Sequence, residues 1–195
     1  GSVRGYFFTA PVNFTMTALR VPTDASSGTQ NIAVMRMTGA VPPPAFPGTT
    51  NAFTTLFLTQ VNPAVGNIPV NIPILAGEVI AIMGNRVNVN SYRTAPNVTT
   101  IAGFPVTLQR MGMQFPLATT APQQLWSEVA GSITRVFFDY TYGSVGPVAT
   151  GTFLWSPPTG LSSTTSNPVA ASPMNTTTYT VNVDNGAGCV RQANI

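Results

Sequence analysis

The sequence predicts an all-β protein whose first and larger part is a jelly-roll-like β-sandwich. Three observations predict this fold class. Short apolar runs recur roughly every 10–20 residues, separated by Pro, Gly and Asn. Helical periodicity is almost absent along the chain. The individual runs alternate apolar and polar residues with the period of two that places one face of a strand against a core.

The predicted strands are apolar or aromatic runs that end at turn residues. They span residues 6–9, 14–21, 31–37, 53–60, 68–74, 78–83, 87–92, 104–111 and 133–142. Residues 123–129 are the one passable helix candidate, and they would make only about two turns. Proline, glycine and asparagine between these segments favour turns rather than long loops.

Two stretches predict more detail. In residues 72–82, a strand is followed by a tight turn at Ala76–Gly77 and then by a more buried strand, which predicts a hairpin. In residues 133–142, one parity carries the charged Arg135 and Asp139, whereas the other is rich in aromatic side chains. The second parity is therefore the predicted core face. Its members are Thr134, Val136, Phe138, Tyr140 and Tyr142.

A change in composition predicts a domain boundary. Residues 143–147 are rich in glycine and follow the aromatic strand, and the sequence after them is rich in Thr and Ser. The predicted domains are therefore residues 1–143 and residues 144–195. The first is long enough to bury a sizeable core, whereas the second is marginal by itself and should need a neighbour.

The composition argues against most catalytic chemistry. Lys and Arg together number 8, all of them Arg, and there are 5 Asp and Glu, no His and 1 Cys. Without His or Lys, the common nucleophilic triads, His-ligated zinc and Schiff-base chemistry are excluded. The arginines form no run, so the sequence pI of about 9.5 does not indicate nucleic-acid binding. No apolar run approaches the ~20 residues of a membrane helix.

The last quarter of the chain carries several spaced motifs. Residues 152–163 spell TFLWSPPTGLSS, 167–170 NPVA, 176–183 TTTYTVNV and 185–189 NGAGC. Over about residues 147–192 the chain resembles the Ig-like/PKD-like repeats of secreted cell-surface proteins of Bacteroidota, with extra residues before Cys189. Residues 1–143 are only generally similar to the β-domains that accompany such repeats. The resemblance implies a small Ig-like β-sandwich that acts as a spacer or adhesive module, in proteins often exported by the type IX route.

These observations lead to a functional expectation. We expect a non-catalytic structural or adhesive protein, extracellular and at the bacterial cell surface. Its partners would be its own copies, assembled into a filament or surface array through strand edges, or neighbouring modules of the same surface protein. The alternative is a carbohydrate-binding module that targets polysaccharide. An enzyme using Glu128 and Asp139 as a glycosidase pair is a third, disfavoured hypothesis. We expect no cofactor, no nucleic-acid partner and no membrane insertion; a Ca²⁺ ion held by backbone carbonyls, Asp24 and Asn side chains cannot be read from sequence.

Two groups of residues are candidates for these functions. The glycan site would combine an aromatic platform with hydrogen-bonding side chains. Its members are Trp126, Gln124, Glu128, Asn88 and Tyr92. Self-association would use an apolar strand near the beginning of the chain and a strand at its end. Its members are Tyr6, Phe7, Phe8, Cys189 and Val190. Cys189 is interpreted as a small buried residue, with an intermolecular disulfide as the alternative.

Overall fold

The structure, a computed structural model, describes residues 2–94, 97–142, 152–166, 169–184 and 190–195. The chain divides into two units, Gly1–Gly146 and Pro147–Ile195. The predicted boundary after residue 143 lies outside the described residues. The described residues contain strands and no helix, so the prediction of an all-β protein is confirmed. Among them there is accordingly no helix long and apolar enough to cross a membrane.

The first unit contains the strands β1 to β13. They are β1 (Val3–Thr9), β2 (Phe14–Arg20), β3 (Gln30–Met37), β4 (Phe53–Asn62), β5 (Ile68–Ile74), β6 (Val79–Arg86), β7 (Tyr92–Arg93), β8 (Val98–Ile101), β9 (Phe104–Thr107), β10 (Gln109–Met113), β11 (Trp126–Ser127), β12 (Ile133–Thr134) and β13 (Phe137–Tyr142). Six of them form one sheet in the order β11-β10-β1-β6-β3-β4, and three form a second in the order β13-β2-β5. All strand pairs of these sheets are antiparallel.

The chain crosses repeatedly between the two sheets. It passes from the larger to the smaller sheet between β1 and β2 and between β4 and β5, and it returns each time in the next connection. The main core contains side chains from both sheets, including Phe8 and Ile82 from the larger sheet and Phe14 and Ile74 from the smaller. Burial of this apolar surface at roughly 25 cal/mol per Å² is the main stabilising contribution. The jelly-roll-like β-sandwich is therefore observed.

The larger sheet is also covered on its opposite face. A second buried cluster there contains Phe7, Met35 and Met83 from the strands, together with Leu117 and Leu125 from the segment between β10 and β11. Because both faces of β1, β3 and β6 are buried, the middle of each strand is an uninterrupted apolar run, such as residues 79–83 of β6. These apolar runs made the positions of the three strands predictable. An alternation of apolar and polar residues could not mark a solvent-facing side, because neither face is exposed to solvent.

Three local predictions were wrong. Residues 72–82 do form strand, turn and strand, with Gly77 at a φ of 85°, but β5 and β6 belong to opposite sheets and do not pair as a hairpin. Residues 87 and 88 form a turn, with Val87 at a φ of 58°, and the next strand is β7, which shares only Tyr92 with the predicted strand 87–92. Residues 123–129 form no helix and contain β11 instead.

In the aromatic segment of residues 133–142, the buried face is largely the one that the sequence predicts. The segment is interrupted between β12 and β13, but Thr134 and Val136 are buried and Phe138 and Tyr140 are half-buried. Tyr142, the outermost member of the predicted core face, is exposed. Phe138 stacks on Phe8 with ring centroids 6.0 Å apart, so this parity does contribute to the core.

Among the described residues of the first unit, one charged side chain is buried. Arg86, at the end of β6, is 1% exposed. Its guanidinium donates to the backbone carbonyls of Val21 at 3.0 Å, Gly28 at 2.7 Å and Val65 at 2.6 Å. Burial lowers the pKa of Arg86, and the charge of Arg20 acts in the same direction. Arg86 therefore fastens two loops to the end of the larger sheet by charge-assisted hydrogen bonds.

The second unit contains a three-stranded antiparallel sheet. Its strands are β14 (Thr152–Ser156), β15 (Thr180–Asp184) and β16 (Val190–Asn194), in the order β14-β15-β16. Tyr179 and Val181 are the buried hydrophobic residues of the part of this unit that the structure describes. The hydroxyl of Tyr179 donates to the carbonyl of Thr159 at 2.7 Å, which ties the turn at Gly160 to the sheet.

Candidate functional site

A row of three residues crosses one end of the larger sheet. Arg4 on β1 lies opposite Gly112 on β10, and Gly112 lies opposite Trp126 on β11. A Cβ atom on Gly112 would lie 2.7 Å from the indole Cζ2 and 3.1 Å from Cδ of Arg4. The glycine therefore makes room for both larger neighbours to meet above it.

The indole of Trp126 is enclosed by two neighbours. The Arg4 guanidinium carbon lies 5.1 Å from the ring centroid, within the range of a cation–π interaction. The ring of Phe46 approaches edge-on, with centroids 5.4 Å apart. Trp126 is only 3% exposed whereas Phe46 is 58% exposed, so Phe46 is the aromatic ring that this region presents to solvent.

The loop that carries Phe46 is fixed against β11. The amide of Ser127 donates to the carbonyl of Pro44 at 2.9 Å, and the Ser127 hydroxyl donates to the carbonyl of Pro43 at 2.7 Å. This loop contains the three consecutive prolines at positions 42–44. Its backbone carbonyls are used as acceptors by an edge strand, and this places Phe46 beside Trp126.

A single carboxylate joins two arginines in the same region. Glu128 accepts from Arg4 at 2.6 Å and from Arg110 at 2.8 Å, and its side chain is 15% exposed. The indole N–H of Trp126 also donates to Glu128, at 3.3 Å. Two guanidinium groups around one carboxylate leave a net positive charge, and the carboxylate fixes the orientation of both donors.

These residues line an open cavity of about 440 Å³, together with Ala45, Gln114 and Val129. A second cavity of about 330 Å³ adjoins it, because Arg110 and Glu128 line both. The second cavity continues past Gly131 and Asn97. The two form one elongated depression, with an exposed aromatic ring at one end and paired hydrogen-bond donors in its middle. We call it the Phe46 groove.

The two carboxylates considered as a glycosidase pair, Glu128 and Asp139, have different surroundings. The carboxylate of Glu128 is held by two arginines, and the Asp139 carboxylate lies on β13 in the other sheet, where it accepts from Asn67 at 2.7 Å. A glycosidase needs two carboxylates on either side of one bond, whereas Glu128 follows β11 of the larger sheet and Asp139 lies on β13 of the smaller sheet.

The predicted glycan residues are only partly brought together. Trp126 and Glu128 line the Phe46 groove, but Trp126 presents little of its ring to solvent. Gln124, Asn88 and Tyr92 are exposed and do not line the groove. Sequence reasoning missed three of its residues, Arg4, Arg110 and Phe46. No local pattern marks them, because only the register of β1, β10 and β11 and the docked proline loop bring them together.

The predicted self-association residues on β1 are not available at a strand edge. β1 pairs with β10 on one side and with β6 on the other. Tyr6, Phe7 and Phe8 are at most 3% exposed. The prediction that they complete a partner's sheet is wrong in this fold, because a strongly apolar strand is also the expected centre of a sheet buried on both faces.

The other predicted association residues lie near the end of the chain. Cys189 lies outside the described residues. Val190 is the first residue of β16, an outer strand of the sheet of the second unit. Among the described residues, β16 has a strand partner on one side only.

The carboxylate considered for calcium is engaged by protein groups. Asp24 accepts from the Ser91 hydroxyl at 2.6 Å and forms an ion pair with Arg135. The hydrogen bond from Ser91, followed by that from Arg135, holds the pKa of Asp24 below its usual value. Within the described ranges, no group of three or more His, Cys, Asp or Glu side chains is placed to bind a metal ion.

No family model, no curated protein and no solved structure matches the chain. Its function is therefore inferred from the fold and from the chemistry of its exposed strands and cavities.

Proposed function

We propose that the chain is a non-catalytic structural or adhesive protein of the bacterial cell surface, and that copies associate by adding strands to the edge of β16. The sequence resemblance to repeats of secreted Bacteroidota proteins, often exported by the type IX route, supports the location. The open edge of the second unit carries the proposal for association. Because only 7% of the residues are charged, electrostatic repulsion between closely packed copies is weak.

Two of the outer strands of the first unit, β5 and β4, carry features that resist strand addition. β5 is an outer strand of the smaller sheet and contains Pro69 and Pro73, which have no backbone N–H to donate. β4, an outer strand of the larger sheet, has two register irregularities with β3. Such prolines and bulges protect exposed edges from pairing with other chains.

The two outer strands of the second unit differ. On β14, the amide of Trp155 donates to the carbonyl of Thr164 at 2.8 Å, so the outward side of that strand is partly used within the unit. β16 contains no proline, and the structure describes no strand on its outward side. A three-stranded sheet with so few buried hydrophobic residues gains stability from an added strand.

The register of β15 and β16 identifies the outward amides. Tyr179 and Ile195 exchange both backbone hydrogen bonds, each at 2.9 Å. Hydrogen-bonded and non-hydrogen-bonded pairs alternate along an antiparallel ladder, and the pairing is regular from Thr180 to Asp184. The amide of residue 193 therefore points toward β15, whereas those of Gln192 and Asn194 point outward.

Proline substitution separates edge pairing from folding of the second unit. Gln192→Pro removes an outward N–H and leaves the bonds to β15 in place, so we expect it to reduce association while the protein stays folded. Ala193→Pro is the matched variant that removes an inward N–H, and it should destabilise the second unit. Light scattering across a concentration series measures association, and circular dichroism measures folding. Association that is equal in the wild type and in folded Gln192→Pro would refute the proposed edge.

A carbohydrate-binding module is the second candidate, and the Phe46 groove favours it. An exposed aromatic ring beside fixed hydrogen-bond donors suits the apolar face and the hydroxyl groups of a sugar. The net positive charge of the groove favours acidic polysaccharides such as polyuronates.

The groove is tested by affinity electrophoresis in alginate. We expect Phe46→Ala to lose about tenfold in affinity, whereas Val65→Ala, which removes another exposed apolar side chain outside the groove, keeps wild-type binding. Equal retardation of Phe46→Ala and wild type would contradict this candidate and leave the structural role.

A further inference from the structure

A third cavity adjoins the Phe46 groove beside the β8–β9 hairpin. It has a volume of about 250 Å³ and reaches β12 and β13. Three residues, Asn97, Val98 and Leu108, line both this cavity and the smaller of the two cavities of the groove. Val98 is 52% exposed, so the two cavities meet at the surface of the protein. The third cavity therefore lengthens the Phe46 groove into one depression, which we call the extended groove.

The far end of the extended groove carries a second exposed aromatic ring. Phe137, the first residue of β13, lines the third cavity and is 43% exposed. The guanidinium carbon of Arg20 lies 5.2 Å from its ring centroid, and this cation–π contact fixes the orientation of the ring. Phe46, at the opposite end, is 58% exposed. Each end therefore offers an accessible apolar ring on which a sugar can stack.

Exposed polar side chains line each part of the extended groove. Gln114 lines the first cavity, Thr107 and Gln109 line the second, and Thr99 and Thr100 line the third. Their amide and hydroxyl groups both donate and accept hydrogen bonds. Because all five residues are exposed, a ligand lying in the groove can reach them, and they suit the hydroxyl groups of a sugar chain.

Positive charge is distributed along the extended groove. Its lining includes four arginines, Arg4, Arg110, Arg93 and Arg135. Glu128, which is the one carboxylate among the described lining residues, pairs with the first two of them. Asp24 pairs with Arg135, whereas Arg93 is exposed and forms no ion pair with any residue that the structure describes. One positive charge therefore remains unbalanced in the Phe46 groove and another in the third cavity, which favours a ligand with repeated negative charges.

We propose that the extended groove binds several consecutive sugars of an acidic polysaccharide, with one sugar on Phe46 and another on Phe137. The two unbalanced charges bind carboxylates of different sugars, and the exposed amides and hydroxyls bind the sugar hydroxyl groups. Single-stranded nucleic acid is disfavoured, because it is bound by rings that stack successive bases, whereas the exposed rings of the described lining lie at its two ends. The carbohydrate-binding candidate, on which this proposal rests, requires the Phe46 end alone.

Isothermal titration calorimetry of the full chain with oligomannuronates, from the disaccharide to the octasaccharide, tests the length of the site. We expect the affinity to rise about tenfold over this series, because a longer oligomer engages both ends at once. Equal affinity for all lengths would overturn the proposal. An oligothymidylate with the charge of the octasaccharide should bind more weakly, and tighter binding would assign the groove to nucleic acid instead.

Variants at the far end separate this proposal from the carbohydrate-binding candidate itself. Phe137→Ala and Arg93→Gln should each lower the affinity for the octasaccharide about threefold, with folding checked by circular dichroism. Phe104→Ala is the matched control and should bind as wild type does, because Phe104 is 47% exposed and lines none of the three cavities. Weaker binding by Phe46→Ala but wild-type affinity in either Phe137→Ala or Arg93→Gln would overturn the extended groove and leave the candidate standing. Wild-type affinity in all three variants would overturn both.

Discussion

Replacement of Arg86 by methionine tests how the loops of the first unit are held. Methionine keeps a long apolar stem in the space beside β6 but removes all three donors to the carbonyls of Val21, Gly28 and Val65. The carbonyl of Val21 accepts in a fully buried environment, so it loses its partner without gaining water. Val65 itself is 67% exposed, and its carbonyl can be hydrated after a small movement of the loop.

The magnitude follows from these three bonds. A hydrogen bond to a charged group contributes about 1.5–3 kcal/mol. The loss is smaller than the sum of the three bonds, because the substitution also removes the cost of desolvating the buried guanidinium. We expect Arg86→Met to lower the free energy of unfolding by about 3–5 kcal/mol. For a unit of this length, that corresponds to a decrease in Tm on the order of 10 °C.

Urea unfolding followed by tryptophan fluorescence measures this change, since Trp126 is buried in the first unit. Arg93→Met is the matched control, because Arg93 is exposed and its loss should change the free energy of unfolding by less than about 0.5 kcal/mol. If Arg86→Met were as stable as this control, the buried guanidinium would not be holding the loops, and the reasoning would be refuted.

Three further predictions concern the first unit. Gly112→Ala should destabilise it by about 1–3 kcal/mol in urea unfolding, because the new methyl group overlaps the indole of Trp126; an unchanged midpoint would contradict the packing described here. Asp24 has a lowered pKa in the fold, so it stabilises the protein above the unfolded pKa of about 4 and loses that contribution as the pH falls further. Acid unfolding of Asp24→Asn should therefore depend less steeply on pH than that of wild type, and equal slopes would argue against the ion pair with Arg135. Tyr6→Phe should lower the free energy of unfolding by about 1 kcal/mol in thermal unfolding, because the buried hydroxyl donates to a backbone carbonyl. Burial also raises the pKa of Tyr6. In an alkaline titration, the absorbance change of ionised tyrosine should therefore be absent for this residue until the protein unfolds.

The positions of most strands of the first unit could be predicted from sequence because each is a short apolar run between turn residues. The alternation in residues 133–142 identified the buried face, since Val136 and Phe138 do contact the core. The turn at Gly77 was also predictable, because a positive φ there requires glycine. Each of these signals lies within a few neighbouring residues, so it can be recognised from the sequence alone.

Sheet membership and the candidate site depend on distant contacts. The turn at Gly77 is equally compatible with a hairpin and with a crossing between sheets, and only the partners of β5 and β6 decide between them. Arg4 and Glu128 are 124 positions apart in the chain, as their numbers show, yet they form an ion pair at 2.6 Å. The arginine at position 86 gave no sign of burial, because its partners are backbone carbonyls, which every sequence contains.

Residue-resolved hydrogen exchange of β16 is the most direct test of assembly through its edge. The amides of Gln192 and Asn194 should exchange progressively more slowly as the protein concentration rises, because an added strand would bond them. The amide of residue 193 should change much less, because it already donates toward β15. Exchange of Gln192 and Asn194 that is the same at all concentrations would contradict the proposed association.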